Sequence, residues 1–433
     1  MGIPRAHTLH ASTTSPAFLF FAGSIFLLLA AAPTPLEAED LPPEIQAGGR
    51  TIIDFEFDWG RDGIHCPACN YGTGNDRLAW VDLEHQLWVA HVDPESGLFY
   101  PGDGRGTLVD SNVTTAQEIG NGPEWMASQQ GSQLVYTRWT DGLPHYVPYL
   151  TLGFARLGDS AWLAGSIEGS EGLVLPVGSQ DFDDPYPTIH YQGFSSPGSP
   201  ASMYWLDLLP GAEQHALPIY SDVPGMTRRW VPGTRDIVIT APPLLPVASS
   251  SRAGFRQVFM YHTATGTMEE LTSSPEDKFW AFMWRAPEFN NETLFFAMEG
   301  GSRLNIYRRS TRNGPWLVIE SIDMPADTPY MSSPEPFVFN GLSYIFFTLS
   351  AERNGRLFSP SRVAITGILP GNAMPRMLTS LNSPSRSRRD PEFFITPRGP
   401  LIYYNRYLPQ TVDTGPVSEG VYYVDAQLGP PVR

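Results

Sequence analysis

The chain has 433 residues, and 45 acidic against 28 basic side chains give a formal charge of -17; this excludes the basic face that a nucleic-acid partner requires. Lysine occurs once, at Lys278, so Schiff-base or lysine-base chemistry has a single candidate. Forty glycines and 42 prolines beside 12% aromatics combine turn formers with β formers, which is not the composition of a disordered chain.

The N-terminus reads as a targeting segment. A polar stretch containing Arg5 precedes the apolar run from Ala17 to Ala32, and small residues follow. That run is short for a membrane-spanning helix and stands where the core of a signal peptide belongs, with a cut after Ala38. A retained anchor is the alternative. The expected organisation is a signal peptide over 1–38, a leader over 39–50 and one domain over 51–433. No later stretch reaches about 18 uninterrupted apolar residues, so no membrane insertion is expected once the signal is removed. The expected location is secreted or periplasmic.

The first strand signal is Thr51 to Phe57, with Ile53, Phe55 and Phe57 on one side and Asp54, Glu56 and Asp58 on the other. Both cysteines follow in His65-Cys66-Pro67-Ala68-Cys69. In an exported chain, Cys66 and Cys69 read as a tight local disulfide. A redox CxxC needs a thioredoxin-like βαβ setting, which is not visible, and a zinc site needs further ligands besides His65. Asp93 to Asp110 reads as a long insertion, and long loops often carry binding function. Asn112 and Asn291 stand in glycosylation sequons, which matter in a eukaryotic source.

From here a phrase recurs as the start of strand groups. Its instances are Cys66-Pro67, Gly122-Pro123-Glu124-Trp125, Asp183-Asp184-Pro185-Tyr186 and Arg228-Arg229-Trp230. Then come Arg285-Ala286-Pro287-Glu288-Phe289, Ser333-Pro334-Glu335-Pro336-Phe337 and Arg389-Asp390-Pro391-Glu392-Phe393. A second, aromatic and β-branched strand follows most openings, as in Leu342 to Phe347, and a third follows that, as in Val421 to Val424. Openings recur roughly every 45 to 60 residues, the period of propeller blades, and no segment sustains a helical period. The expected fold is therefore all-β: a β-propeller of seven four-stranded blades, with six as the alternative count. The unit after Glu392 has room for three strands, so Thr51 to Phe57 is expected to supply its fourth and close the ring.

The stretch Ala286-Pro287-Glu288-Phe289, Leu294-Phe295-Phe296-Ala297, Gly300-Gly301 and Ile306-Tyr307 resembles the WD-like repeat of TolB-type propellers. Gln257 to Tyr261, Thr265-Gly266 and Leu271-Thr272 match its later half. Most units lack the Ser-Pro-Asp-Gly turn usual in that family. Its members include scaffolds, peptidase gating domains and sugar-active enzymes, so the resemblance implies a fold more than an activity. Arg389 to Glu392 with Leu401 to Tyr404, and Ser333 to Glu335 with Asn340 to Tyr344, also resemble blade openings of furanosidase-type glycoside hydrolases. There are too many units for that pattern, and the order of its carboxylates is missing.

The candidate chemistry lies in acids beside proline: Glu124, Asp184, Glu288, Glu335, Asp390 and Glu392. Innermost propeller strands line a central channel, so these acids would converge at one mouth. Two of them could work as general acid and base on a glycosidic bond; a ring of oxygens could equally hold calcium. The plain alternative is that the repeat places a polar residue at each strand start. Asp183, Arg228, Arg229 and Arg389 are candidate ligand-binding groups, the arginines for a carboxylate, or else members of internal ion pairs. His190, expected on the same inner strand as Asp184, and His145 near Tyr146 and Tyr149, could serve a His/Tyr lyase. The expected role is binding a glycan or protein partner at the channel mouth, with a carbohydrate-active enzyme as the alternative.

Overall fold

The computed structural model describes residues 41–431, except 59–76, 101–105, 116–120, 141–149, 180, 182, 195–200, 222–227, 242–254, 312–313, 353–358 and 410–416. The signal segment 1–38, the expected Cys66–Cys69 disulfide and His145 lie outside the described residues. The chain divides into Met1–Asp40 and Leu41–Arg433, and everything below concerns the second unit.

Among the described residues, 29 strands form seven antiparallel sheets. Each of blades 2 to 6 takes four consecutive strands; blade 1 starts at Ile52–Phe57 and adds two short strands, Phe99–Tyr100 and Thr107–Asp110, to its third. The first strands of blades 2 to 7 are Glu124–Ser128, Leu173–Gly178, Arg228–Trp230, Lys278–Ala286, Tyr330–Phe339 and Ser387–Thr396. First strands of most neighbouring blades lie against one another, including those of blades 7 and 1, so they form the inner wall of a closed ring. The chain is a seven-bladed β-propeller.

An N-terminal strand does close the ring, but it is Ile45–Gln46. It pairs with Val417–Asp425 as the outer strand of blade 7, through Ile45 with Tyr423 and Gln46 with Tyr422. The strand expected to do this, Thr51 to Phe57, instead forms the inner strand of blade 1 and pairs with Arg77–Asp82. Closure thus begins ahead of residue 51. Gly420 shows how close the approach is: a Cβ there would stand 2.4 Å from the Gly49 carbonyl oxygen, and its φ of +96° suits glycine alone.

The apolar core lies between the blades. Phe55, Phe57 and Trp80 of blade 1 pack with Phe394 and Tyr403 of blade 7 and Phe346 of blade 6. The rings of Phe57 and Tyr403 meet edge to face at 4.9 Å, a favoured aromatic geometry. Trp284, Phe296 and Leu304 of blade 5 pack with Ile345 and Phe347 of blade 6. Strand alternation explains this: one face of each sheet meets the next blade, and the other face meets the previous one.

The stretch Trp284 to Tyr307, the best-formed repeat in the sequence, is structural throughout. Pro287–Phe289 forms a 3-10 turn after the inner strand of blade 5. There Glu288 accepts hydrogen bonds from the Ser343 amide at 2.8 Å and hydroxyl at 2.9 Å. Trp284 Nε1–H donates to the same hydroxyl oxygen at 2.9 Å, so the phrase clamps blade 5 to blade 6. Lys278, the single lysine, is fully buried and paired with Glu299, which makes it a structural cation.

Candidate functional site: an acid ring in the channel

The recurring proline phrase turns out to be the signature of a β-bulge. In four inner strands the pairing with the second strand slips at equivalent places: between Val174 and Val177, Phe279 and Phe282, Ser332 and Glu335, and Arg389 and Glu392. Each slip contains one residue with positive φ: Leu175 at 56°, Trp280 at 52°, Ser333 at 46° and Asp390 at 51°. Proline follows three of them, as Pro176, Pro334 and Pro391, because a bulged residue needs no ladder N–H. Gly122 at φ 73° and Pro123 repeat the motif ahead of blade 2. Gly122 is required there twice over, since a Cβ would stand 2.5 Å from the Asp54 carboxylate.

Bulges re-aim side chains, and the next residue in these motifs is Glu124, Val177, Phe282, Glu335 or Glu392. Two tryptophans identify the equivalent residues in blades 1 and 4. Trp125 Nε1–H donates to the Glu56 carbonyl oxygen at 3.0 Å, and Trp230 Nε1–H donates to that of Val177 at 3.0 Å. Each indole thus locks the ring residue of the blade before it, which places Arg229, preceding Trp230, in register with Glu124, preceding Trp125. The ring is therefore Glu56, Glu124, Val177, Arg229, Phe282, Glu335 and Glu392, with Asp390 beside it.

Charge couples these groups. Arg229 feels Glu335, Glu124, Glu56 and Glu392; burial alone would lower it, and the four carboxylates hold it above its ordinary value. Its Nη2 lies 3.6 Å from Glu335 Oε1, and the guanidinium stands 5.8 Å from the Phe282 ring centre. Burial pushes Glu124 up to about 7, against the opposing pull of Arg229 and an Asn121 hydrogen bond of 2.8 Å. Burial likewise pushes Glu335 up to about 7, against the pull of Arg229 and with Asp390 and Glu124 raising it further. Glu392 is driven well above the carboxylate range by burial and by Glu335, Glu56, Asp390 and Glu124. Asp390 is raised by burial despite Arg229 and Arg389. Such a cluster shares protons near neutrality, because like charges this close cannot all ionise.

Of the residues singled out in the sequence, Glu124, Arg229, Glu335, Asp390 and Glu392 come together. Arg389 lies on the same strand as Glu392, its guanidinium lowered by burial with Tyr407 and Asp390 near it. Arg228 turns away from the channel. Its Nε–H donates to His190 Nδ1 at 2.9 Å and its Nη2 to the Leu175 carbonyl. His190 belongs to the second strand of blade 3, Thr188–Phe194, rather than the inner one; burial and the charges of Arg228 and Arg229 hold it neutral.

Asp183 and Asp184 open no strand. They lie in the turn between the first and second strands of blade 3, where Asp184 stands 3.6 Å from Arg235. Neither joins the ring, and the inner strand of that blade starts ten residues earlier, at Leu173. Among the described residues no three His, Cys, Asp or Glu side chains form a group that could hold a metal ion. Glu56 and Asn121 were missed. The acid-aromatic pair Glu56-Phe57, like Glu124-Trp125 and Glu392-Phe393, was the available signal for the first.

No protein-family model matches the chain, and the search of curated proteins gives no match. Solved structures do match. The β-propeller domain of Cps50 (Swd1) from Myceliophteria thermophila is 9% identical, covering 89% of this chain and 98% of that one at a TM-score of 0.49. Prolyl oligopeptidase B from Galerina marginata is 10% identical over 82% of this chain, at a TM-score of 0.42; the chain spans 46% of that protein. A TolB-type protein of Agrobacterium tumefaciens is 13% identical, covering 62% of this chain and 81% of that one at a TM-score of 0.34. What the comparisons share with this chain is the propeller fold. Among the described residues no helix is long and apolar enough to cross a membrane.

Proposed function

We propose that this is an exported propeller that binds a glycan or protein partner at the mouth of its channel. The observation that carries this reading is the inner ring itself. Glu335 and Glu392 are re-aimed into the channel by bulges whose left-handed, pre-proline residues cost energy, and Glu56, Glu124 and Arg229 stand in register with them. Ser333 and Asp390 hold φ values of 46° and 51° directly before proline, where extended backbone is strongly preferred. Each such residue costs on the order of 1–3 kcal/mol, and strain of this kind collects at functional sites. Export, to the periplasm or the exterior, is supported by the apolar run behind Arg5. The test is a glycan array and a defined-partner binding screen, comparing the native chain with Arg229→Met and Glu335→Gln. Binding whose affinity either variant changes supports the reading; binding indifferent to both refutes it.

A second reading has its own observation. Glu124 and Glu335 both reach about 7, a value suited to proton transfer near neutrality. A carbohydrate-active enzyme would use one as acid and the other as base. An oligosaccharide-cleavage screen decides it: turnover abolished in both Glu124→Gln and Glu335→Gln supports this reading, and turnover kept in both removes it.

A further inference from the structure

We propose that the acid ring binds a protonated primary amine, seated against Glu392 and flanked by Glu56, Glu124 and Glu335. This deepens the reading of the channel as the binding site and rests on it.

Glu392 carries the inference. It is 4% exposed, and its Oε2 atom has no hydrogen-bond partner. Its electrostatic neighbours are Glu335 of blade 6, Glu56 of blade 1, Glu124 of blade 2 and Asp390 of its own strand. A buried acceptor left unmade is costly, and the cost is greater when its neighbours carry the same charge. A cation with N–H donors removes both penalties at once.

The other ring groups are engaged. Asn121 donates to Glu124, and Arg229 is directed to Glu335 and the face of Phe282. The ring's own cation is therefore engaged with Glu335 and Phe282. Two features select an ammonium group over other cations. One is that an ammonium carries three N–H donors and no acceptor, which suits a site lined by carboxylate oxygens. A guanidinium stacks on aromatic faces and prefers planar, two-pronged partners; the Phe282 face is already held by Arg229.

The ligand charge also fits the balance of the site. Five acidic side chains (Glu56, Glu124, Glu335, Asp390, Glu392) meet three guanidiniums: Arg229, Arg228 acting on Glu124, and Arg389 acting on Asp390. Arg228 is turned to His190, and Arg389 lies beside Asp390. A bound ammonium favours the ionised carboxylates, so its affinity rises with pH as Glu124 and Glu335 lose their protons.

The experiment is calorimetric titration of the full chain with ethylamine, Nα-acetyl-lysine amide and glucosamine, with N-acetylglucosamine and calcium chloride as controls. Saturable binding of at least one amine and of neither control is expected. Binding of the lysine derivative alone would name a peptide as the amine's source, and binding of glucosamine alone an amino sugar. Glu392→Gln should weaken amine binding about tenfold or more, which is about 1.4 kcal/mol. Arg229→Met removes the resident cation and should tighten it by a similar factor. Thermal unfolding of each variant shows that it remains folded.

No saturable amine binding, or affinity unchanged in both variants, overturns the proposal. If amines fail while a glycan or protein still binds in a manner sensitive to Arg229→Met, the ammonium site falls and the channel reading stands. If the partner binds regardless of every channel substitution, both fall.

Discussion

The ring closure predicts an unusually large effect from one residue outside any long strand. Glu44 precedes the two-residue closing strand, and its carboxylate gathers three side chains of blade 7. Arg388 donates to it through Nε at 3.0 Å and Nη2 at 2.5 Å. The Tyr404 hydroxyl donates at 2.7 Å, and Arg406 Nη1 stands at 3.4 Å. The Arg388 side chain is 0% exposed and that of Glu44 is 10% exposed. In Glu44→Ala, Arg388 keeps its carbonyl partners, including Arg386 O at 3.2 Å and Pro384 O at 3.3 Å, but loses its counter-charge. Breaking a buried pair in this way costs about 3–5 kcal/mol. The ladder beside it has only two residue pairs, joined by the Ala47 and Gly48 amides on the Val421 carbonyl. Urea unfolding followed by tryptophan fluorescence should show a midpoint lower by about 1 M, taking a slope somewhat above the small-protein range. Glu44→Gln, which keeps the shape and one acceptor, should lose less. Burial raises the Glu44 carboxyl, but Arg388, Tyr404 and Arg406 outweigh it and leave the group below its ordinary value. The stabilisation is therefore present above the unfolded value and fades as pH falls through the lower folded one. An alanine variant within about 0.2 M of the native midpoint would refute the latch.

The channel acids have the opposite pH sign. Glu124 and Glu335 are raised to about 7 in the folded chain, so their contribution is greatest below the unfolded carboxylate range and is lost as pH rises through 7. A thermal-unfolding series from pH 5 to 8 should fall over that interval, and Glu335→Gln should flatten the fall; a series that rises refutes the assignment. Glu392→Gln replaces a buried carboxylate whose Oε2 has no hydrogen-bond partner with a neutral amide and should leave the midpoint equal or higher at pH 8; a clear loss would show that the charge has a partner. Glu288→Ala removes two hydrogen bonds between blades 5 and 6, at a cost of about 1.5–3 kcal/mol, while channel binding persists. Asp184→Asn breaks the contact with Arg235 and should leave both channel binding and its pH profile unchanged; weakened binding would return Asp184 to the site.

How much of this was legible follows from particular residues. The propeller was readable because Pro, aromatic runs and glycine turns recur along the chain. Its phase was less readable. Ser333-Pro334-Glu335 and Asp390-Pro391-Glu392 are true bulge motifs, whereas Asp184-Pro185 and Pro287-Glu288 are ordinary turns with the same spelling. The genuine members in blades 3 and 5, Leu175-Pro176-Val177 and Trp280-Ala281-Phe282, carry no acid and so escaped notice. Proline marks both a bulge and a turn because it lacks an N–H in either place, and only the positive φ of the preceding residue separates them. The closing strand was missed for a different reason: two residues cannot show a period of two.

That distinction decides where function is to be sought. A proline-acid phrase in a turn, such as Pro287-Glu288, spends its carboxylate on a neighbouring blade's amide and hydroxyl. The same phrase in a bulge cannot do so, because the bulge turns the side chain inward, away from the ladder and from the adjoining sheet. Glu335 and Glu392 are thus left to one another, to Asp390 and to Arg229. The fold offers these acids too few donors by construction, and Glu392 Oε2 remains without one. A purely structural ring would tolerate glutamine or serine at every one of these positions. Simultaneous Glu124→Gln, Glu335→Gln and Glu392→Gln should therefore yield a folded chain, at least as stable as the native one at pH 8, that no longer binds at the channel. A triple variant that fails to fold would instead make the acids part of the scaffold.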